Sequence, residues 1–271
     1  MTEDYRVIGE FARKMRLVCL EMVFQQKASH VGGALSIVDV LATLYSDYLK
    51  IEPEAPTRPD RDRLFYSKGH ACTALYAALY LKGFFPKELL DSFTKNGSTM
   101  TSHVNYKIPG VEFSAGSLGH VLPVATGVAL SSKIKKESFR TLCIVSDGEL
   151  DEGSNWEAIL FAGHHHLNNL TIIVDYNKIQ SFGFTKDVLS LEPLADKFNA
   201  FNWHTIEIDG HDLPQISAAL KHTSADKPKV IIAHTIKGKG IRFMENELKW
   251  HYKSPSAEEY ALAIQEIKGS N

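Results

Sequence analysis

No stretch of this chain approaches the roughly 18 consecutive apolar residues that a membrane-crossing helix needs, so a membrane-spanning protein is not expected. Neither sign of charge prevails: 30 Lys and Arg stand against 32 Asp and Glu, for a net charge of -2. Without a broad positive field, a general binder of nucleic acid or of anionic membranes is not expected either. Cysteine is scarce, and Cys19, Cys72 and Cys143 are odd in number, far apart and without a C-x-x-C pair. That pattern argues against a disulfide framework and a structural zinc site, and for reduced, buried thiols. The opening MTEDYRVIGEFARKMRL alternates charged with apolar residues and lacks the unbroken apolar core of a secretory signal, so a cytoplasmic protein is anticipated. Internal repeats and low-complexity runs are absent as well. What remains, 44% hydrophobic and 23% charged over 271 residues, is the make-up of an ordinary globular protein of one large or two small domains.

From Asp4 to Gln26 the apolar residues Val7, Ile8, Phe11, Met15, Val18 and Met22 recur at three- and four-residue steps, which predicts an amphipathic helix with one buried stripe. Ser36 is placed to cap a second helix, and the Pro-rich EPEAPTRPDRD that follows reads as a surface connection. Beyond it, short apolar runs at 63–66, 140–145, 170–174, 204–208 and 230–233 alternate with helical patterns. Buried parallel strands joined by crossover helices have this texture, so the expected fold is α/β, a mostly parallel central sheet with helices on both faces. A last short helix with a frayed GSN end is expected in the tail, 245–271. Each strand run is followed by a polar or glycine-rich loop: SKGHA, SDGELDEG, DYNKIQSFG, DGHD and HTIKGKG. Ligands of open parallel sheets bind beyond the carboxyl ends of the strands, so these five loops are where chemistry is to be sought.

The strongest signal lies in RTLCIVSDGELDEGSNWEAILFAGHHHLNNLTIIVDYNKIQ. Asp147 follows one predicted strand and Asn177 follows the next, with a helix of about 15 residues from Asn155 between them. A carboxylate, an amide oxygen and a loop carbonyl such as that of Ile179 make a hard oxygen set that suits Mg²⁺ or Ca²⁺, with positions left over for a diphosphate. Gly148 lets a diphosphate come close, and the amides that open the following helix favour its charge. Taken singly, SDG and YN are ordinary turn sequences. The triplet His164, His165 and His166 is not a zinc site, because adjacent helical residues point about 100° apart. GSLGH is not a G-x-G-x-x-G fingerprint, so a dinucleotide site is declined.

These words together resemble the transketolase family, whose thiamine diphosphate motif is an acidic GDG followed about 30 residues later by Asn. Here Ser146 replaces the first glycine, and Asp175 with Asn177 keeps a D-x-N-K pattern. The resemblance implies one thiamine diphosphate-binding (PP) domain over 1–271, with the helix and loop of 1–35 packed on it. It implies metal ligation by Asp147, Asn177 and Ile179, and cofactor contacts from His70, Gly116, Leu118, Gly119, Gly148, Glu149, Asn177, Ile179 and His251. It also makes His30, His70, His103 and His251, otherwise plain loop histidines, active-site groups: His30 and His103 for the hydroxyls of a sugar, His70 and His251 for the diphosphate and the reacting oxygen. Imidazoles suit such proton and hydrogen-bond traffic near neutral pH. Glu152 is either a first-turn acid stabilising its helix dipole or, by the resemblance, a carboxylate at the seam between subunits. Lys237 and Lys239 are either solvated charges on a mobile glycine loop or diphosphate contacts made when that loop closes.

In this family the activating glutamate lies in a separate pyrimidine-binding domain. The resemblance therefore implies a split transketolase that moves a two-carbon ketol unit between sugars or sugar phosphates. A C-terminal transketolase subunit, carrying the pyrimidine-binding and C-terminal domains, would be the partner, with two of each chain. The alternatives are the α subunit of a 2-oxoacid dehydrogenase first component and a non-catalytic thiamine diphosphate-binding protein.

Overall fold

A computed structural model describes residues 3–269. Five strands form one parallel sheet: β1 (Arg63–Tyr66), β2 (Thr141–Ser146), β3 (Leu170–Tyr176), β4 (His204–Asp209) and β5 (Lys229–His234). Their order across the sheet is β1-β2-β3-β5-β4. Every residue of β2 and β3 is buried, which is why both are continuous apolar runs rather than alternating ones. The edge strand β4 is only half covered and exposes Glu207 and Asp209.

Three helices precede the sheet: α1 (Glu3–Gln26), α2 (Val31–Ser36) and α3 (Val38–Thr43), the last running on as a π-helical turn over Leu44–Tyr48. Between β1 and β2 lie α4 (Cys72–Leu81), a short α5 (Lys87–Leu90) and α6 (Val121–Lys135). Helix α7 (Gly153–His164) joins β2 to β3, α8 (Thr185–Val188) and α9 (Leu194–Ala200) lead to β4, and α10 (Leu213–Lys221) leads to β5. Helix α11 (Ala257–Gly269) comes last. From β1 to β4 the chain advances across the sheet in one direction, and only the step from β4 to β5 runs back. With right-handed crossovers that reversal puts α10 on the face opposite α7 and α9. There α10 packs against α1 and α3, while α6 packs against α7.

Two expectations about the N-terminal region are corrected. Val7 is 60% exposed, and the stripe that α1 buries in the main core is Ile8, Ala12, Met15, Cys19 and Met22. A second stripe, Leu20 and Val23, joins Val31, Leu35, Ile241, Met244, Trp250, Ala263 and Ile267 in a smaller core. Within 245–271 the expected last helix is α11, which lies on α1 with the Phe24 and Tyr260 rings stacked 4.0 Å apart. Ser36 does not cap a helix. It is the buried last residue of α2, and its hydroxyl donates to the Gly33 carbonyl at 3.0 Å and to Asp175 at 2.6 Å. Ser270 and Asn271, where the frayed GSN end was expected, lie outside the described residues, as do Met1 and Thr2 of the opening.

Candidate active site at the strand ends

The register of β2 on β3 pairs Ser146 with Asp175, so Asp147, one residue later, comes level with the end of β3. Asp147 is 2% exposed. One of its oxygens accepts from the Gly148 amide at 2.7 Å, the other from the Lys178 amide at 2.6 Å. Its carboxylate thus lies directly against the loop that carries Asn177 and Ile179. The Asn177 amide is oriented at both ends. Its oxygen accepts from the Ile179 amide at 3.1 Å, and its nitrogen donates to Asp175 at 3.2 Å. Gly148 is needed because a Cβ there would come within 2.8 Å of Cβ of Gln180, prising the two loops apart.

Lys237 closes the site from the β5 side. Of the two alternatives for TIKGKG, the solvated one does not hold for Lys237, which is 2% exposed. Its ammonium donates to the Ile179 carbonyl at 2.9 Å and to Nδ1 of His251 at 2.9 Å. Lys239 is only half-buried, with its ammonium 3.9 Å from Glu245. Burial, with Asp175 nearby, pushes the Asp147 carboxyl above its usual range, and burial pushes the Lys237 ammonium below its own. Of the candidate oxygens, the Ile179 carbonyl already faces a cation, the Lys237 ammonium.

Among the described residues no three or more His, Cys, Asp or Glu side chains gather as a metal group. The donors here are instead one carboxylate, one amide and one carbonyl, a set whose chemistry fits a hard, oxygen-seeking divalent ion.

Beneath this rim sits a charge pair that sequence reasoning missed. Lys68 and Asp175 are both fully buried and hydrogen-bonded to each other. Lys68 also donates to the Gly33 carbonyl at 2.8 Å, and Asp175 further accepts from Ser36, Asn177 and Thr235. Burial pushes the Asp175 carboxyl up, but Lys68 and the two hydroxyls outweigh it and hold the group below its ordinary value. The available signal was the position of Lys68 and Asp175 at strand ends, inside SKGHA and DYN.

The four loop histidines come together. Ring centroids of His30 lie 5.4 Å from His70, 6.2 Å from His103 and 5.0 Å from His251, and His70 lies 5.7 Å from His251. His30 caps α2 in the left-handed conformation, φ 71°, and its amide donates to the His251 carbonyl at 2.9 Å. Burial holds the His30 imidazole down to about 4 and that of His251 to about 3, each helped by the nearby Lys237 charge. Burial also lowers His70, far below its ordinary value, and His103. At neutral pH all four are uncharged, so each ring offers one donor and one acceptor.

Gly116 lies exposed beside the His103 ring, which brings the GSLGH loop to the cluster. Leu118 is half-buried and Gly119 buried in the same loop. The Glu149 carboxylate is fully buried and accepts from Ser67, from the Gly119 amide at 3.1 Å and from the Ser146 amide at 3.4 Å. It ties the β1, GSLGH and β2 loops together beneath the surface. Glu152 is not part of the cluster. It stands exposed at the start of α7 and makes no capping bond. His164 ends α7, and Lys133 donates to the carbonyls of His165 at 3.0 Å and His166 at 2.6 Å, so the triplet closes the helix.

A parallel sheet with buried charges and four imidazoles gathered in the loops beyond its strand ends is the arrangement of a ligand-binding α/β domain. Residues 8–269 match the family model described as transketolase, thiamine diphosphate binding domain, and the chain belongs to that family. It is 41% identical over 271 residues to the 6-deoxy-6-sulfo-D-fructose transketolase subunit SqwG of a Clostridium species, covering 99% of this chain and 98% of the relative. To an apulose-4-phosphate transketolase subunit of Phocaeicola vulgatus it is 38% identical over 258 residues, 94% of this chain and 92% of that one. The crystal structure of transketolase from Campylobacter jejuni superposes with a TM-score of 0.93 at 31% identity, over 97% of this chain and 43% of the longer one. The thiamine diphosphate-binding α/β fold is therefore established, and the 2-oxoacid dehydrogenase alternative is not favoured. No helix among the described residues is long and apolar enough to cross a membrane.

Proposed function

We propose that this chain is the diphosphate-binding subunit of a split transketolase, which transfers a two-carbon ketol unit from a ketose or ketose phosphate to an aldose or aldose phosphate. The observation that carries the reading is the packing of the Asp147 carboxylate against the loop of Asn177 and Ile179, with Lys237 bonded to the Ile179 carbonyl and to His251 of the histidine cluster. In this reading those three oxygens hold Mg²⁺, or Ca²⁺ in its place, and Lys237, Gly148 and the amides around it meet the diphosphate. Bound thiamine diphosphate supplies a carbon nucleophile for carbonyl groups.

The chain's own residues do the rest. His70 and His251, uncharged and next to Lys237, donate to the diphosphate end and to the reacting oxygen. His103, the exposed member of the cluster, and His30, whose ring neighbours the other three, orient sugar hydroxyls. A neutral imidazole can give or take a proton without first losing one to bulk water, which is what a carbonyl passing to and from an alkoxide requires. Glu152, exposed at the start of α7, is assigned to the seam with another subunit. The partner supplies the pyrimidine-binding and C-terminal domains, and two of each chain make the assembly; the three buried cysteines of the present chain, none in a disulfide, suit the reducing cytosol. The two relatives above are named for different sugars, so the donor class proposed here is ketoses in general.

The test is to mix the chain with the partner subunit, Mg²⁺ and thiamine diphosphate, and to follow glycolaldehyde-unit transfer from a ketose phosphate to an aldose. Transfer that needs both chains and the metal is the expected result. Tight cofactor binding without transfer by any such mixture would overturn the reading in favour of a non-catalytic binding protein.

A further inference from the structure

The glycine loop after β5 is pinned by two side chains that come from far away in the chain and meet on a single carboxylate. Asp39, on α3, is buried and faces neither the histidine cluster nor the oxygen set. One of its oxygens accepts from the Arg16 guanidinium at 2.6 Å and from Nδ1 of His211 at 2.7 Å. The other ring nitrogen of His211, Nε2, accepts from the amide of Ile236 at 2.8 Å. That bond fixes the tautomer: with Nε2 an acceptor, the proton is on Nδ1 and points at Asp39. Arg16 in turn donates through Nε to the Lys239 carbonyl at 3.2 Å. Ile236 and Lys239 bracket Lys237. Within the bracket the Gly238 amide donates to the Gly32 carbonyl at 2.9 Å, and Gly238 holds φ at 82°, where a side chain would be strained.

We infer that His211, oriented by Asp39, is a positioning residue: it clamps the Ile236 amide so that the ammonium of Lys237 is held in place for the diphosphate before the cofactor arrives. The inference rests on the reading that Lys237 meets the diphosphate. Asp39 is the shared anchor of both ends of the bracket, and Arg16 holds the second end. Because neither His211 nor Asp39 lies among the groups assigned to metal, cofactor or sugar, their effect passes through the loop backbone. Supporting groups of this kind are worth about 10- to 100-fold in the affinity of the site they orient.

The experiment uses the full chain with Mg²⁺ and inorganic diphosphate as the probe, measured by calorimetry, together with amide hydrogen exchange of residues 236–240. Lys237→Met is expected to weaken diphosphate binding about tenfold or more. His211→Phe is expected to weaken it about tenfold in the parent chain and to add nothing in the Lys237→Met background, since coupled residues are not additive. His211→Gln, whose amide can reach the Ile236 amide, restores binding and slow exchange of the segment. His211→Asn, which reaches only towards Asp39, does not, and serves also should His211→Phe fail to fold. Equal loss on His211→Phe with and without Lys237 would overturn the inference, as would unchanged exchange of 236–240 in His211→Asn. If Lys237→Met binds diphosphate normally, it is the diphosphate reading of Lys237 that fails, while the exchange measurement still decides whether His211 clamps the loop.

Discussion

Two groups of charges in this molecule use the same residue types to opposite effect. At the rim, Lys68 and Asp175 are fully buried, and between them they engage Gly33, Ser36, Asn177 and Thr235. In the connection before β1, Asp60 accepts from Arg58 at 2.6 Å and from Lys50 at 2.8 Å, and Arg58 also reaches Glu52 at 2.8 Å, with Lys50 and Glu52 exposed and Arg58 and Asp60 half-buried. Hydrogen bonds from Arg58 and Lys50 hold the Asp60 carboxyl below its ordinary range, yet water screens the pair and each long side chain must be immobilised to make it. Ion-pair distance alone therefore says little. What distinguishes the rim is that losing either partner strands a charge where no solvent can reach it.

Four measurements press on that contrast. Replacing Asp147 by Ala should lower ketol transfer by the assembled enzyme at least about a hundredfold and abolish Mg²⁺-dependent diphosphate binding, because a metal-bearing oxygen is removed outright. Normal metal dependence in that variant would break the assignment of the site. Lys68→Met should cost about 3–5 kcal/mol in urea unfolding, since it leaves Asp175 buried and unpaired. The double change Lys68→Met with Asp175→Asn should recover part of that loss, and equal loss in both would mean that packing, not charge, sets the cost.

The histidine cluster gives a smaller, pH-dependent effect with a definite sign. Burial lowers the folded-state His30 to about 4, against about 6.5 in the unfolded chain, so the unfolded chain binds more protons between those values. Stability is fully present above pH 6.5 and declines as the pH falls towards 4. Urea midpoints measured across that window should drop, and drop less steeply in His30→Asn. A flat profile would contradict neutral, buried imidazoles. The smallest effect belongs to the outer group: Asp60→Asn should leave the urea midpoint unchanged within error, and a clear shift would show that the exposed network matters more than its setting suggests.

The sheet was legible because strands covered on both faces are mainly apolar, and β2 and β3 are such runs, with Asp175 near the end of β3 the charged exception, closed by Asp147 and Asn177. The oxygen set proposed above rests on those two residues at that spacing. The wiring beneath it was not readable. A lysine in SKGHA has the same letter whether it is solvated or, like Lys68, wholly enclosed, and only tertiary packing decides. Lys237 was ambiguous for a related reason. Glycines at 238 and 240 suggest a mobile loop, but Gly238 serves a fixed backbone conformation, and the restraints come from Arg16 and His211, more than 20 positions away in the chain. Ser36 misled because a serine ahead of an apolar run looks like a cap, whereas its hydroxyl is committed to Asp175.

The three thiols offer a way to watch this architecture open. Cys19 on α1, Cys72 on α4 and Cys143 on β2 are unpaired and at most 1% exposed, and burial pushes each towards the unreactive protonated form, Cys19 to about 12. A thiol reagent can therefore modify them only when the surrounding structure parts. Because each sulfur sits on a different element, the order in which they are trapped would rank which piece of the scaffold breathes first, with no label added to the protein.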